Sequence, residues 1–212
     1  MPDSTPEGPR KRRRAEPDAR RQSILDAGLA VFAAEGFAAA KLDEVAAKAG
    51  IAKGTIYLHF RDKQDLFEQI VRSAIEPVLK HLEDIPDLPI EQLIGRLFAT
   101  LQTDILATDR KLILRLVLTE GHRFPEIAEF YHREVIAKAI GRVRPMIERA
   151  VTRGEQVAPD LARFPQLLIA PALMVILWEG LFAKFEPLDI GGLMKAHRDI
   201  LLGTWMTGAR EP

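Results

Sequence analysis

Hydrogen-bond donors are concentrated between residues 41 and 63 of this 212-residue chain. Lys53 precedes Tyr57 by four residues. Thr55 precedes His59 by the same interval, so each pair would lie on an exposed face of one helix. Ammonium, hydroxyl and imidazole groups bind phosphate oxygens and base edges. The chemistry indicated by this segment is therefore noncovalent recognition of a nucleic acid.

Two short helices joined by a tight turn would present these donors. Leu42 and Val45 recur at helical spacing, and Gly50 can adopt the left-handed conformation that ends a helix. Ile56 and Phe60 form the inward face of the second helix. Because helices this short cannot bury themselves, they are expected to pack as a helix-turn-helix, whose second helix enters the major groove. The alternative is that Tyr57 and His59 merely cap and pack a core helix.

The segment from Asp18 to Phe67 resembles the TetR family of transcriptional regulators. The resemblance is carried by Gly36-Phe37, Val45-Ala46, Ala49-Gly50-Ile51, Lys53-Gly54-Thr55-Ile56-Tyr57, His59-Phe60 and Asp62-Lys63. It implies that four residues contact the DNA backbone, namely Thr55, Tyr57, His59 and Lys63. It also implies that Lys53 and Gly54 lie near base edges. Lys41 and Ala52 stand where many members have Ser or Thr, and Lys41 could offer its charge to the same phosphate.

Charge is unevenly distributed along a chain whose net charge is zero. Residues 1–63 contain 12 Lys and Arg against 9 Asp and Glu, a net of +3, which leaves −3 for the remainder. Residues 1–15 are predicted to be a disordered basic arm. Its run from Arg10 to Arg14, including Arg12 and Arg13, could follow the DNA backbone or enter a minor groove. A solubilising tail is the alternative.

The predicted fold is all-α. Residues 16–63 would form a three-helix DNA-binding domain, joined by a long helix to an effector-binding and dimerisation body at 64–212. Prolines 86 and 89 would end the long helix. Further helices are predicted at Ile90–Ala107, Arg110–Glu120, Pro125–Gly154, Pro165–Phe185 and Ile190–Met206, and no stretch alternates like a strand.

The segment from Leu167 to Phe185 is apolar on nearly every side. Its uninterrupted apolar run is too short to span a membrane, and Pro171 and Glu179 would be costly in lipid. A partner subunit is therefore expected to cover one face. The predicted dimer residues are Leu168, Pro171, Val175, Glu179, Phe182, Leu193 and Ile200. Glu179 would either meet a polar partner, such as an arginine across the interface, or line a cavity. A twofold dimer would bind an inverted-repeat operator.

A ligand cavity is expected among the middle helices, and the family resemblance also implies an inducer pocket there. The predicted ligand-binding residues are Phe98, Leu101, Ile105, Leu118, His122, Tyr131, Met174 and Trp178. Ordinary core packing is the alternative for the apolar ones. The stretch from Leu112 to Glu134 also resembles the AefR-like branch of the family. The predicted effector is a small apolar molecule, which would release a repressor from its operator.

The composition indicates neither a cofactor nor a metal site. Cysteine is absent and no apolar signal segment is evident at the N-terminus, so a cytoplasmic protein is expected. One enzymatic alternative is a recombinase or nuclease that uses the helix-turn-helix to reach DNA, but acidic residues with metal-binding spacing are lacking. The other is a helical enzyme or carrier with Glu120 and His122 as acid and base. Neither is favoured over a transcriptional regulator.

Overall fold

The computed structural model describes residues 17–158 and 160–203, and the all-α prediction is confirmed within them. The α-helices are α1 (Pro17–Ala39), α2 (Leu42–Lys48), α3 (Lys53–His59), α4 (Lys63–Glu83), α5 (Ile90–Thr100), α6 (Arg110–Glu120), α7 (Pro125–Tyr131), α8 (Ala137–Thr152), α9 (Ala170–Leu181) and α10 (Ile190–Leu202). Arg12 and Arg13 lie outside the described residues, as does the predicted end of the last helix beyond Gly203.

Helices α1 to α3 and the start of α4 form the head of the molecule. Gly36 bends α1 sharply, with φ at 75° and ψ at 164°, a conformation that glycine adopts without the strain of a Cβ atom. Phe37 follows the bend and packs edge-on against Phe67 of α4, with ring centroids 6.0 Å apart. Ile56 of α3 is fully buried, so the short third helix is attached to the same core. The predicted helix-turn-helix is therefore present.

Helix α4 connects the head to the body. The Asp62 side chain accepts a hydrogen bond from the Asp65 backbone N–H at 2.8 Å and caps the helix start. At Gly28 of α1, an added Cβ would lie 3.0 Å from side-chain atoms of Leu66 and Ile70, so the two helices cross closely. The apolar face of α4 continues into the body through Ile75, and this one helix belongs to both cores.

The body contains two segments of π-helix that sequence periodicity did not predict. Leu101–Leu106 continues α5, and His132–Ile136 connects α7 to α8. A wider turn of this kind interrupts the regular helix and is frequent at functional sites. A short 3-10 helix, Pro165–Leu168, precedes α9.

Helix α9 has one buried face and one exposed face. Leu168, Pro171 and Val175 are buried in the chain's own core, so they have no surface to offer a second subunit, and their assignment to a dimer interface is corrected. Leu193 is partly buried against the same core. Phe182 and Ile200 are exposed, as the prediction requires. The exposed apolar residues of this region that were not among the predicted dimer residues are Phe164, Leu167, Met174, Leu177, Leu181 and Phe185.

Glu179 has a polar partner, as in the first of the two predicted alternatives, but that partner lies in its own chain. Its carboxylate forms an ion pair with Lys111 of α6 in the same chain, at 3.0 Å. Both side chains are about one-third exposed, so the pair connects α9 to α6 near the surface. In the described part of the chain, the helices are too short or too polar to cross a bilayer.

Candidate DNA-binding surface and ligand cavity

Helix α3 exposes its polar face to solvent. Ile56 is its buried residue, whereas Tyr57 is 51% exposed and the Lys53 side chain 70% exposed. Thr55 is half-buried and His59 is exposed. The predicted donors on this helix are therefore at least partly accessible to solvent.

Asp43 of α2 organises two of these donors. Its carboxylate lies 2.6 Å from the Lys53 ammonium and accepts a hydrogen bond of 3.3 Å from the Tyr57 hydroxyl. The hydrogen bond from Lys53 lowers the pKa of Asp43, and the same bond raises the pKa of Lys53. Asp43 was not predicted as a site residue, because its link to α3 crosses between helices. An acidic residue within a basic segment was the signal available in the sequence.

Lys41 and Gly54 lie at the starts of the two short helices. Lys41 precedes α2, and its backbone N–H donates to the Glu44 carboxylate at 3.3 Å. The side-chain ammonium of Lys41 takes no part in this hydrogen bond. A Cβ added at Gly54 would have no atom within 4 Å, so nothing in the described chain crowds this position. Both positions are open to an approaching partner.

Lys63 is placed differently from the donors of α3. Its ammonium donates to the carbonyl oxygens of Phe37 and Ala38, at 2.7 and 2.8 Å. It also lies 4.9 Å from the Phe37 ring centroid and 5.8 Å from that of Phe124. Two of its three N–H groups therefore bind the chain itself, a structural role that the sequence did not indicate.

The corner between α6 and α7 contacts the head beside Lys63. Phe124 packs edge-on against Phe37, with centroids 5.0 Å apart. A Cβ added at Gly36 would lie 2.9 Å from a carboxylate oxygen of Glu120. His122 is exposed at this corner, so its predicted place in the ligand cavity is corrected. The corner joins head and body instead.

An apolar cavity of about 210 Å³ lies in the body. Leu101, Ile105 and Tyr131, three of the residues predicted to bind a ligand, line it. The further lining residues come largely from α4, α8 and the segment before α9: Ile75, Val78, Leu79, Leu82, Leu97, Thr100, Leu114, Val135, Ile136, Ala139, Ile140, Val143, Pro165, Gln166, Leu168, Ile169 and Leu173. The apolar periodicity of α4 was visible in the sequence, but the cavity it borders was not.

Four other predicted ligand-binding residues lie away from this cavity. Phe98 is buried against His197, with ring centroids 5.9 Å apart. The Trp178 indole N–H donates to the Glu186 carbonyl at 2.7 Å. Leu118 and Met174 are 43% and 48% exposed on outer faces. These assignments are corrected, because helical spacing does not show which face of a helix meets the cavity.

Comparison with known proteins agrees with this architecture. Residues 24–70 match the family model described as bacterial regulatory proteins, tetR family, and residues 90–184 match the one described as Tetracyclin repressor-like, C-terminal domain. The HTH-type transcriptional repressor SCO4008 of Streptomyces coelicolor is 33% identical over 181 residues, which cover 84% of this chain and 86% of that protein. The HTH-type transcriptional regulator SrpR of Pseudomonas putida is 27% identical over 205 residues, covering 93% and 89%.

Among solved structures, the SmeT–triclosan complex has the same fold. The TM-score is 0.71 at 24% identity, and the match covers 88% of this chain and 91% of that one. The matched family and these curated relatives are DNA-binding transcriptional regulators rather than enzymes. The chain belongs to the TetR family of transcriptional regulators. The finer resemblance of its body to the AefR-like branch stays a prediction.

Proposed function

We propose that this regulator is a homodimeric repressor that binds an inverted-repeat operator and is released by a small apolar ligand. The observation that carries the proposal is the course of α4. This helix begins at Lys63 in the head and lines the cavity through Ile75, Val78 and Leu82. A change in the shape of the cavity can therefore reach the DNA-binding surface through one continuous element.

Helix α3 would supply the contacts to the operator. Thr55, Tyr57 and His59 are proposed to bind phosphates, and Lys53 and Gly54 to lie near base edges. Lys41 would add its charge at the start of α2. The proposal also keeps a role for the basic arm with Arg12 and Arg13, which lies outside the described residues.

A second subunit is proposed to cover the exposed apolar face of α9 and its neighbours, the dimer face. It is defined here as Phe164, Leu167, Met174, Leu177, Leu181, Phe182, Phe185 and Ile200, all of them exposed. Large apolar side chains concentrated in this way mark association surfaces in proteins. An isologous dimer through this face would present two α3 helices, which explains why an inverted repeat is expected.

Release requires the ligand to bind more tightly to the arrangement that does not bind DNA. Coupling free energies between such sites are about 1–3 kcal/mol. The route proposed here runs from the cavity along α4 to Lys63, where Phe37 of the head meets Phe124 of the α6–α7 corner. The complex of SmeT with triclosan supports this scheme by analogy, since a protein of the same fold binds a small molecule.

Selection of binding sites from random duplex DNA at near-physiological salt tests the proposed DNA recognition. An enriched inverted repeat is expected, bound much more tightly than scrambled DNA. Lys53→Ala should change the preferred bases, whereas Thr55→Val should weaken binding to all sequences alike. The absence of any enriched motif from wild-type protein would count against this function.

A further inference from the structure

The cavity presents almost no polarity to a ligand. Among the described residues that line it, none is charged, and those with polar side chains are Thr100, Tyr131 and Gln166. An ionised group moved into such surroundings loses its hydration without gaining a counter-charge, which is strongly unfavourable. The lining therefore selects against carboxylates, phosphates and ammonium groups.

Tyr131 is the buried polar group of this lining. The residue is 7% exposed, and its hydroxyl forms no hydrogen bond with any described residue. Burial raises the pKa of Tyr131 to about 12, so the hydroxyl is protonated at neutral pH and can both donate and accept. A cavity-lining hydroxyl with no partner in the described chain is available to hydrogen-bond to a polar atom of a ligand.

The dimensions of the cavity limit the size of that ligand. A dry apolar cavity of about 150 Å³ accommodates benzene. The cavity here is larger, at about 210 Å³, which suits a molecule of one or two rings. Both π-helical segments contribute to the walls, Leu101 and Ile105 from one and Val135 and Ile136 from the other.

We propose that the effector is an uncharged, compact and mainly apolar molecule with one oxygen or nitrogen that hydrogen-bonds to the Tyr131 hydroxyl. This inference rests on the proposed function, in which the cavity is the effector site. To that function it adds the charge of the effector, its size, and the residue that hydrogen-bonds to it.

An amphipathic anion is the competing ligand class, because a charged groove of about 350 Å³ adjoins the cavity. Ile75, Leu79 and Val135 line both spaces and form the boundary between them. Three of the four cations that line the groove have carboxylate partners: Lys138 lies 2.6 Å from Glu134, and Arg72 lies 3.4 Å from Glu68. Arg142 is paired with Glu83. A head group on these three would have to displace their partners, whereas the Lys80 ammonium and the Arg142 Nη1 have no partner among the described residues, so the titration includes an anion as the test of this class.

Calorimetric titration of the full chain with 1-naphthol, naphthalene and 1-naphthoate tests the proposal. Wild-type protein should bind 1-naphthol about three- to tenfold more tightly than naphthalene, the effect of one neutral hydrogen bond. It should bind the anion 1-naphthoate at least about tenfold more weakly than 1-naphthol. Tyr131→Phe should remove the preference for 1-naphthol while retaining naphthalene, and this retention shows that the variant is folded.

Thr100→Val is the matched variant, because it deletes the other hydroxyl of the lining. Preference for 1-naphthol should persist in this variant. The proposal is overturned if the preference survives in Tyr131→Phe, if it disappears in Thr100→Val instead, if 1-naphthoate binds most tightly, or if none of the three compounds binds. Operator affinity is measured separately with and without 1-naphthol. Binding with the expected Tyr131 dependence but without release would refute the effector role of the cavity while sustaining the ligand class.

Discussion

Replacing Lys63 with Met should destabilise the whole chain by about 2 kcal/mol. The ammonium donates to the Phe37 and Ala38 carbonyls at the end of α1, at 2.7 and 2.8 Å. Hydrogen bonds with one charged partner contribute about 1.5–3 kcal/mol, and a cation at a helix C-terminus about 0.3–1 kcal/mol. Because the site is only partly buried, water can replace part of this interaction. A loss of about 2 kcal/mol is therefore expected.

Urea unfolding followed by circular dichroism measures this loss. With a slope of about 2 kcal/mol/M, the midpoint should fall by about 1 M. Wild type and variant are compared at equal protein concentration, since dimerisation would contribute to apparent stability. Lys80→Met is the matched control: Lys80 is an exposed lysine of the same helix, and its removal should change stability by about 0.5 kcal/mol or less.

An unchanged midpoint in Lys63→Met would refute the structural role of Lys63. The salt dependence of DNA binding is measured in parallel on the same variants. A fall in the salt slope of about 0.9 would show that the remaining N–H group also binds a phosphate. A loss of stability without any change in the salt slope of DNA binding would show that Lys63 has a structural role only.

Three further substitutions test other parts of the account. Leu181→Glu should convert the dimer to a monomer in sedimentation velocity, because it puts a charge on the dimer face. Asp43→Asn should tighten DNA binding and steepen its salt dependence, because it removes a negative charge from the DNA-binding surface and frees the Lys53 ammonium from its ion pair. The hydrogen bond from Lys53 lowers the pKa of Asp43, so the ion pair is present above the unfolded-state pKa and is lost only as the pH falls through the lower folded-state pKa. The difference in salt dependence between variant and wild type should therefore be constant from about pH 5 to 8. Gly36→Ala should lower the free energy of unfolding by about 1–3 kcal/mol in urea, because φ is 75° with ψ at 164° and the new Cβ would press on Glu120.

Matched variants separate these effects from general damage. Val151→Glu also puts a charge on an exposed apolar residue, but away from the dimer face, and should leave the dimer intact. Asp84→Asn removes one negative charge at the far end of α4 and should leave the salt slope unchanged. Gly95→Ala lies inside α5 with open space around the new Cβ, and should be stabilising by about 0.4–1 kcal/mol. If a test variant and its control behaved alike, the role assigned to the test residue in the dimer face, the DNA-binding surface or the bend of α1 would be contradicted.

Much of the fold was predictable because its determinants are local. Gly36 ends the straight part of α1, Gly50 separates α2 from α3, and the apolar repeat after Lys63 continues through α4. The exposure of the donors on α3 was predictable for the same reason: once Ile56 is assigned to the buried face of a short helix, the residues on the other faces are expected to be exposed.

The unpredicted features depend on contacts between elements distant in the sequence. Val175 and Met174 are neighbours in an apolar helix, and only packing decides that Val175 is buried and Met174 exposed. Lys63 reaches carbonyls 25 and 26 residues earlier in the chain, so no spacing within one helix indicates its role. The cavity likewise forms between α4, α8 and the π-helical segments, whose wider turns are not encoded in a regular 3.6-residue repeat.

The stoichiometry of the DNA complex tests directly whether this regulator reads an inverted repeat as a dimer. A duplex carrying the selected site is titrated with protein in sedimentation equilibrium, beside a duplex in which one half-site is scrambled. A dimeric regulator should place two chains, or a multiple of two, on the intact site and bind much more weakly to the half-site duplex. One chain per duplex, with equal affinity for both, would contradict a dimeric regulator that reads an inverted repeat.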